Sequence, residues 1–297
     1  MTALAQALNR LTDVQPFQAS WYVKDLAGGA TLGRDADLPV ATRSTRKVAI
    51  MMALLNGVAS GEFDLSRPVG VPEAYQHTRS GVTQFFLPDP VLRLHDAMAL
   101  MIGVSDNGCT GAIMDLLGLD RLNAYCRSIG MANTAHRSAL PLDSAELQAN
   151  TVSTPREQGD LLEAIVAGVD DPLAARRLGC APSHCALALR ALRAQQLRAK
   201  IPALLPDEAA VAHKDGTGPG MHHDTGIVYR GDRPLFVVCA YTWNVPAMLE
   251  DGVPGRAAAA RFIAQLSRQA WDALAGRRTR PRPAGEAGTG TVSRAAS

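Results

Sequence analysis

Aromatic side chains are scarce in this chain, 5% of 297 residues, and neither sign of charge dominates. Thirty Lys and Arg face twenty-eight Asp and Glu, a net charge of +2. A dedicated nucleic-acid binder carries a basic stripe and aromatic platforms, so this composition argues against one. Apolar runs such as residues 48–55 are far too short to cross a bilayer, and no membrane partner is expected. The amino-terminal stretch has no basic segment followed by an unbroken apolar one, so no secretory signal is read and a cytoplasmic location is expected. Five cysteines (Cys109, Cys126, Cys180, Cys185 and Cys239) fit no metal spacing, and Cys180 and Cys185 do not make a Cys-x-x-Cys pair. They are expected to be reduced, buried thiols; no metal and no cofactor is expected.

Hydrophobic residues make up 47% of the chain, ample for a core. Residues 3–11 repeat apolar side chains at helical spacing, 17–24 alternate as a strand, and Gly28-Gly29 signals a turn into another. From Ser44 to Gln195 the pattern is mainly helical, with amphipathic segments near 45–58, 90–103, 108–117, 120–129, 155–167 and 183–195. Strand signatures return at 211–215, 223–229 and 235–243, the last two joined across Gly231-Asp232 as a hairpin. Residues 254–274 form a long Ala-rich helix. The expected fold is α/β (α+β): an antiparallel sheet built from both chain ends (1–43 and 196–275), flanked by helices, with an inserted all-helical lobe (44–195). Residues 276–297 lose all periodicity and read as a disordered tail. A cleft between the lobes is the expected site.

Lysine is the rarest of the abundant charges: of thirty basic residues only Lys24, Lys47, Lys200 and Lys214 are lysine. Lysine can lose its proton when desolvated, whereas arginine effectively cannot. In Ser44-Thr45-Arg46-Lys47 the i, i+3 spacing puts hydroxyl and amine on one helix face, where the amine can accept the hydroxyl proton. Free N–H groups of a first helical turn can also bind an oxyanion. An N-cap serine followed by a surface lysine fits the same four residues. Ser105-Asp106-Asn107 lies between two apolar helices, either as a loop aiming polar groups into a cleft or as a helix cap. His213-Lys214-Asp215-Gly216-Thr217-Gly218 ends a strand, with Lys214 free to enter the cleft or to sit on an edge turn. His222-His223 lack a third ligand and are expected to pack or hydrogen-bond. Asp160 and Glu163 read as a solvated helix face, and Cys109 as a packed residue rather than a second nucleophile.

In this order and at these separations the three elements resemble the Ser-x-x-Lys, Ser-Asp-Asn and Lys-Thr-Gly set of the class A β-lactamase and penicillin-binding protein superfamily. Residues 105–134 look like that family's long segment after the Ser-Asp-Asn loop, 151–155 like the stretch leaving its Ω-loop, and 223–229 like its next sheet strand; the resemblance covers about 3–274. It implies Ser44 as acyl-forming nucleophile, Lys47 as proton acceptor, Ser105 as proton donor to the leaving amine and Asn107 as orienting group. It further implies Lys214 as positive charge beside Ser105, and the N–H groups of Ser44 and Thr217 as oxyanion hole. Asp215, Gly216 and Thr217 would line the substrate. Two departures stand out. Lys214-Asp215-Gly216 replaces Lys-Thr-Gly, so an aspartate stands where a hydroxyl would meet a substrate carboxylate. The Ω-loop stretch 136–150 has no clean match to the deacylating glutamate, for which Glu146, four residues before Asn150, is the best substitute; a plain surface role fits Glu146 as well.

The expected activity is a monomeric serine hydrolase that forms an acyl-serine and hydrolyses a β-lactam or related amide. Two rivals stand beside it: a D,D-peptidase or esterase-like amidohydrolase with slow β-lactam turnover, and an inert-cleft binding protein.

Overall fold

The computed structural model describes residues 1–76, 80–139 and 151–276. Helix α1 (Thr2–Asp13) buries Leu4 and Leu8, and strands β1 (Gln18–Asp25) and β2 (Thr31–Arg34) follow. The short strand β3 (Val40–Ala41) leads into a 3-10 turn, Arg43–Arg46, which continues without a break as helix α2 (Lys47–Ala59). Val48 to Leu55 are all at most 1% exposed, so α2 is apolar all round and forms the axis of the inserted lobe.

Around it lie strand β4 (Pro68–Gly70), the single turn α3 (Glu73–Gln76), strand β5 (Val91–Arg93) and helices α4 (Leu94–Gly103), α5 (Asn107–Leu117) and α6 (Leu119–Ser128). Strand β6 (Val152–Ser153) and helices α7 (Pro155–Asp170), α8 (Pro172–Arg177) and α9 (Pro182–Arg193) complete the lobe. The chain then returns through β7 (Ala209–Gly218), β8 (Met221–Arg230) and β9 (Arg233–Trp243) to the long helix α10 (Gly255–Leu274).

The main sheet has five antiparallel strands in the order β2-β1-β9-β8-β7. Strand β1 pairs with β9, Trp21 opposite Ala240, so the two ends of the chain share one sheet. Its two faces feed two cores, as the alternation of side chains requires. Val211, Val228, Phe236 and Val238 pack under α1 and α10 with Leu8, Phe262 and Leu266. Ala212, Ile227, Val237 and Cys239 face the lobe with the α2 residues, Leu162 and Ile165.

The strand over 211–215 extends further than its sequence signature, to Gly218, because each residue through Gly218 has a partner on β8. Gly216 to Gly218 therefore lie within the edge strand and not beyond its end. Two ribbons, β3 with β6 and β4 with β5, were not read from the sequence: two or three residues carry no period. Of the tail expected from 276 onward, all but Gly276 lies outside the described residues.

Candidate active site

Ser44 is the second residue of the 3-10 turn and Lys47, three residues on, opens α2, a spacing that puts the two on one face. The turn is braced from beneath. Thr45 Oγ1 donates to Thr42 O at 2.8 Å, which leaves Tyr241 Oη to donate to Thr45 Oγ1 at 3.0 Å. Strand β7 presses on its other side: a Cβ on Gly216 would lie 3.0 Å from Thr45 Cγ2 and 3.1 Å from Thr42 O. A side chain there would require the turn to give by a few tenths of an ångström, so glycine suits the approach.

Lys47 is fully buried, and its Nζ reaches Ser105 O at 2.7 Å, Asn107 Oδ1 at 2.8 Å and Ser105 Oγ at 3.2 Å. Burial holds its proton affinity well below that of an ordinary lysine; the Lys214 and Arg46 charges push the same way, against Asp106 and Cys109. A neutral amine has two N–H bonds and one lone pair. Of the three contacts the longest, to Ser105 Oγ, is the one that can reverse, the hydroxyl donating to nitrogen.

Ser105 takes φ +57°, a left-handed backbone uncommon outside glycine and asparagine, which turns its hydroxyl toward Lys47. The loop holds that conformation through its neighbours. Ser80 Oγ donates to Ser105 O at 2.8 Å, and Asn107 N–H donates to Ser80 O at 3.1 Å. Asp106, fully buried, caps α5 by accepting from Cys109 N (2.9 Å) and also accepts from Val82 N (2.7 Å), Thr83 N (2.8 Å) and Thr83 Oγ1 (2.8 Å). Loop and cap, the two readings of this motif, are both realised. Cys109 is buried, and burial first, then Asp106, pushes its thiol far above the ordinary range, as suits a packed residue.

Lys214 projects from β7 on the lobe side and is also fully buried. Burial lowers its proton affinity to about 8, opposed by Asp215 and Asp224 and assisted by Lys200; its Nζ donates to Asp215 O at 2.7 Å. Asp215 itself does not sit beside the Lys214 ammonium, because adjacent strand residues face opposite sides. Its carboxylate pairs with Lys200, a buried lysine whose Nζ also reaches Thr217 Oγ1 at 2.8 Å, His223 O at 3.0 Å and Gly216 O at 3.1 Å. Burial alone would raise the Asp215 carboxyl, but Lys200 and then Lys214 hold it below the ordinary carboxylate range. Lys200 belongs to none of the three motifs; its one sequence signal is to be a lysine in a chain that prefers arginine.

Arg46 was missed as well. Its buried guanidinium donates to Ser138 O (2.7 Å), Ala139 O (2.6 Å) and Thr151 Oγ1 (3.1 Å), tying both flanks of 140–150 to the turn that carries Ser44. Glu146 and Asn150 lie outside the described residues. His223 donates from Nε2 to Ala41 O at 2.9 Å and accepts at Nδ1 from Thr242 N–H at 3.2 Å, and burial lowers its proton affinity to about 3. It is a neutral strut. Among the described residues no group of three His, Cys, Asp or Glu side chains is arranged to hold a metal ion. Asp160 and Glu163 are not merely solvated: Tyr22 Oη donates to Asp160 at 3.3 Å and Lys24 pairs with Glu163, because α7 lies across β1.

A five-stranded sheet made from both chain ends, with a helical lobe inserted and a serine–lysine turn between them, is the β-lactamase fold. A β-lactamase from Sphaerobacter thermophilus DSM 20745 superposes with a TM-score of 0.79 at 23% identity, over 92% of this chain and 97% of that one. The structure of PBP-A superposes at 0.78 with 24% identity, over 92% and 96%. The sequence matches the beta-lactamase enzyme family over residues 3–274, and the chain belongs to that family. It is also 29% identical to the beta-lactamase regulatory protein BlaB of Streptomyces cacaoi, over 86% of this chain and 92% of that protein.

Proposed function

We propose that this chain is a serine hydrolase that acylates Ser44 with a β-lactam or a related amide. The observation that carries the reading is Lys47: fully buried, low in proton affinity, one turn from Ser44 and bonded to both Ser105 and Asn107. Neutral Lys47 takes the Ser44 proton as Oγ attacks the carbonyl carbon. The oxyanion forms at the N–H of Ser44, a first-turn donor, and at Thr217, on the edge strand where alternate N–H groups face away from β8. As the C–N bond breaks, Ser105 passes its proton to the leaving nitrogen and is reprotonated from Lys47 through their 3.2 Å contact. Lys214 supplies the charge that favours the unprotonated state of Lys47. Water then releases the acyl group; Glu146 is our candidate for the base of that step.

A PBP-A variant has been solved as an acyl-enzyme complex with penicillin G, at 24% identity and a TM-score of 0.77 to this chain. The BlaB relative favours a second reading, in which the acyl-enzyme persists and serves regulation. Intact mass after incubation with penicillin G separates them. Ser44 should gain the mass of the drug, transiently in a hydrolase and lastingly in a regulator. Ser44→Ala should abolish the gain, and Lys47→Arg should slow it by ~10²-fold or more, because arginine is not a base at neutral pH. Undiminished labelling of Ser44→Ala would sink both readings.

A further inference from the structure

On the face of β7 turned away from Lys214 lies a buried polar cluster whose side chains the acyl-transfer steps do not use. Lys200 is 4% exposed and has four acceptors: the Asp215 carboxylate, Thr217 Oγ1 and the carbonyls of Gly216 and His223. An ammonium has three N–H bonds, so all are committed within the protein. The ion pair is closed off from water, with side chains 5% and 10% exposed. Beside it, directly across the strands from Asp215, Asp224 is spent on His213 Nδ1 (2.9 Å) and Ile201 N (3.1 Å). Arg43 is buried too, its Nε on Met221 Sδ at 3.3 Å.

Thr217 is the member of this cluster that reaches the surface. It occupies the edge strand two residues beyond Asp215, next to Gly216, which touches the Ser44 turn. An acyl donor on Ser44 that extends along the edge of β7 runs past the exposed Thr217 side chain. The Thr217 hydroxyl accepts from Lys200 at 2.8 Å and donates to the Asp215 carboxylate at 3.4 Å. One lone pair remains to it, so it can accept from an N–H of an acyl donor and has no proton to offer an oxygen. A carboxylate arriving there must shed water, yet finds no free N–H on Lys200, no free O–H on Thr217 and no net charge on the ion pair behind them.

We infer that Lys200, Asp215 and Thr217 form the specificity-determining unit of this cleft and that it selects acyl donors uncharged where they meet Thr217 over donors bearing a carboxylate there. The inference rests on the acyl-serine reading and narrows its substrate class to neutral amides, lactams and esters. Lys200 without Asp215 would be a buried cation with an N–H to spare; Asp215 turns it into a closed, neutral unit.

The test compares penicillin G with its methyl ester, following the rate of Ser44 labelling by intact mass. The full-length protein should label at least tenfold faster with the ester than with the free acid. Asp215→Asn, near-isosteric, should lower that ester-to-acid ratio at least tenfold by releasing the Lys200 charge. Asp215→Thr, with a thermal melt to establish folding, should move the ratio the same way. Equal rates for acid and ester in the unaltered protein, or a ratio unmoved in both folded variants, overturns the inference and leaves the acyl-serine reading standing. Absence of Ser44 labelling by either compound defeats that reading and the inference with it.

Discussion

Burial brings the proton affinity of Lys214 down to about 8, and the charge it still carries at neutral pH helps keep the proton off Lys47. The acid limb of Ser44 acylation should report this coupling. Below it Lys47 is protonated and cannot take the serine proton. Lys214→Met removes one repelling charge, so Lys47 gains affinity for its proton and the limb should move to higher pH. The rate of labelling by an uncharged ester, followed across pH in both proteins, measures the shift; a limb that stays in place excludes Lys214 as its cause. That Ser44, Lys47, Ser105, Asn107 and Lys214 would gather in one place was legible in the sequence through the resemblance of their three motifs to one family's set. The face chosen by Asp215 was open to the alternation rule, yet its partner was not. Lys200 reaches it across the loop between α9 and β7, and nothing in the spacing of the two residues shows that closure.

The segment 104–107 owes its shape to helix α5. Asp106 caps that helix and at the same time gathers Val82 and Thr83, so one carboxylate fixes the helix start, the 80–83 loop and the left-handed Ser105 between them. Asp106→Ala strips three backbone N–H groups and a hydroxyl of their acceptor. Lost capping and unpaired buried donors together should cost on the order of 3 kcal/mol or more, a fall in Tm of roughly 5–10 °C. A melt lowered by less than about 1 °C would count against this account. Six helices of the lobe could be read from periodicity within a few residues; the short α3 and α8 could not. Helix α2, expected to be amphipathic, is instead buried on all sides over residues 48–55, as suits a helix surrounded by others. The extension of β7 through Gly216 and Gly218 went unread because glycine marks turns in isolation, whereas here it admits the close approach of Thr45 and the Arg43 side chain.

Two fully buried histidines, His136 and His223, make the stability of the whole molecule depend on pH. Burial lowers both to about 3 from the ordinary 6.5, so the unfolded chain binds protons between those values that the folded chain does not. Their contribution is intact above 6.5 and is lost as pH falls toward 3, at up to about 1.4 kcal/mol per pH unit for each, on the order of 2 kcal/mol each by pH 5. Urea midpoints should drop between pH 7.5 and pH 5 with an unchanged slope, and His136→Phe should flatten part of that drop. A midpoint constant across the range would show that neither ring matters. The sheet assembled from both chain ends was legible as a distribution of strand signatures, strands first and last with helices between. Its order, with β1 slotted between β2 and β9, was not.

That order has a consequence for a chain leaving a ribosome. Strand β1 is made early, yet its neighbour on one side, β9, is translated more than two hundred residues later, Gln18 waiting for Trp243. At ~5–20 residues per second the hairpin of β1 and β2 spends about 10–45 s with an open edge and an uncovered apolar face. The α2-centred lobe emerges meanwhile and has all its helices before the sheet can close. Vectorial synthesis thus favours a folded insert suspended between two unfinished halves of a sheet, and the Ser44 turn, clamped between lobe and β7, is among the last places to become ordered.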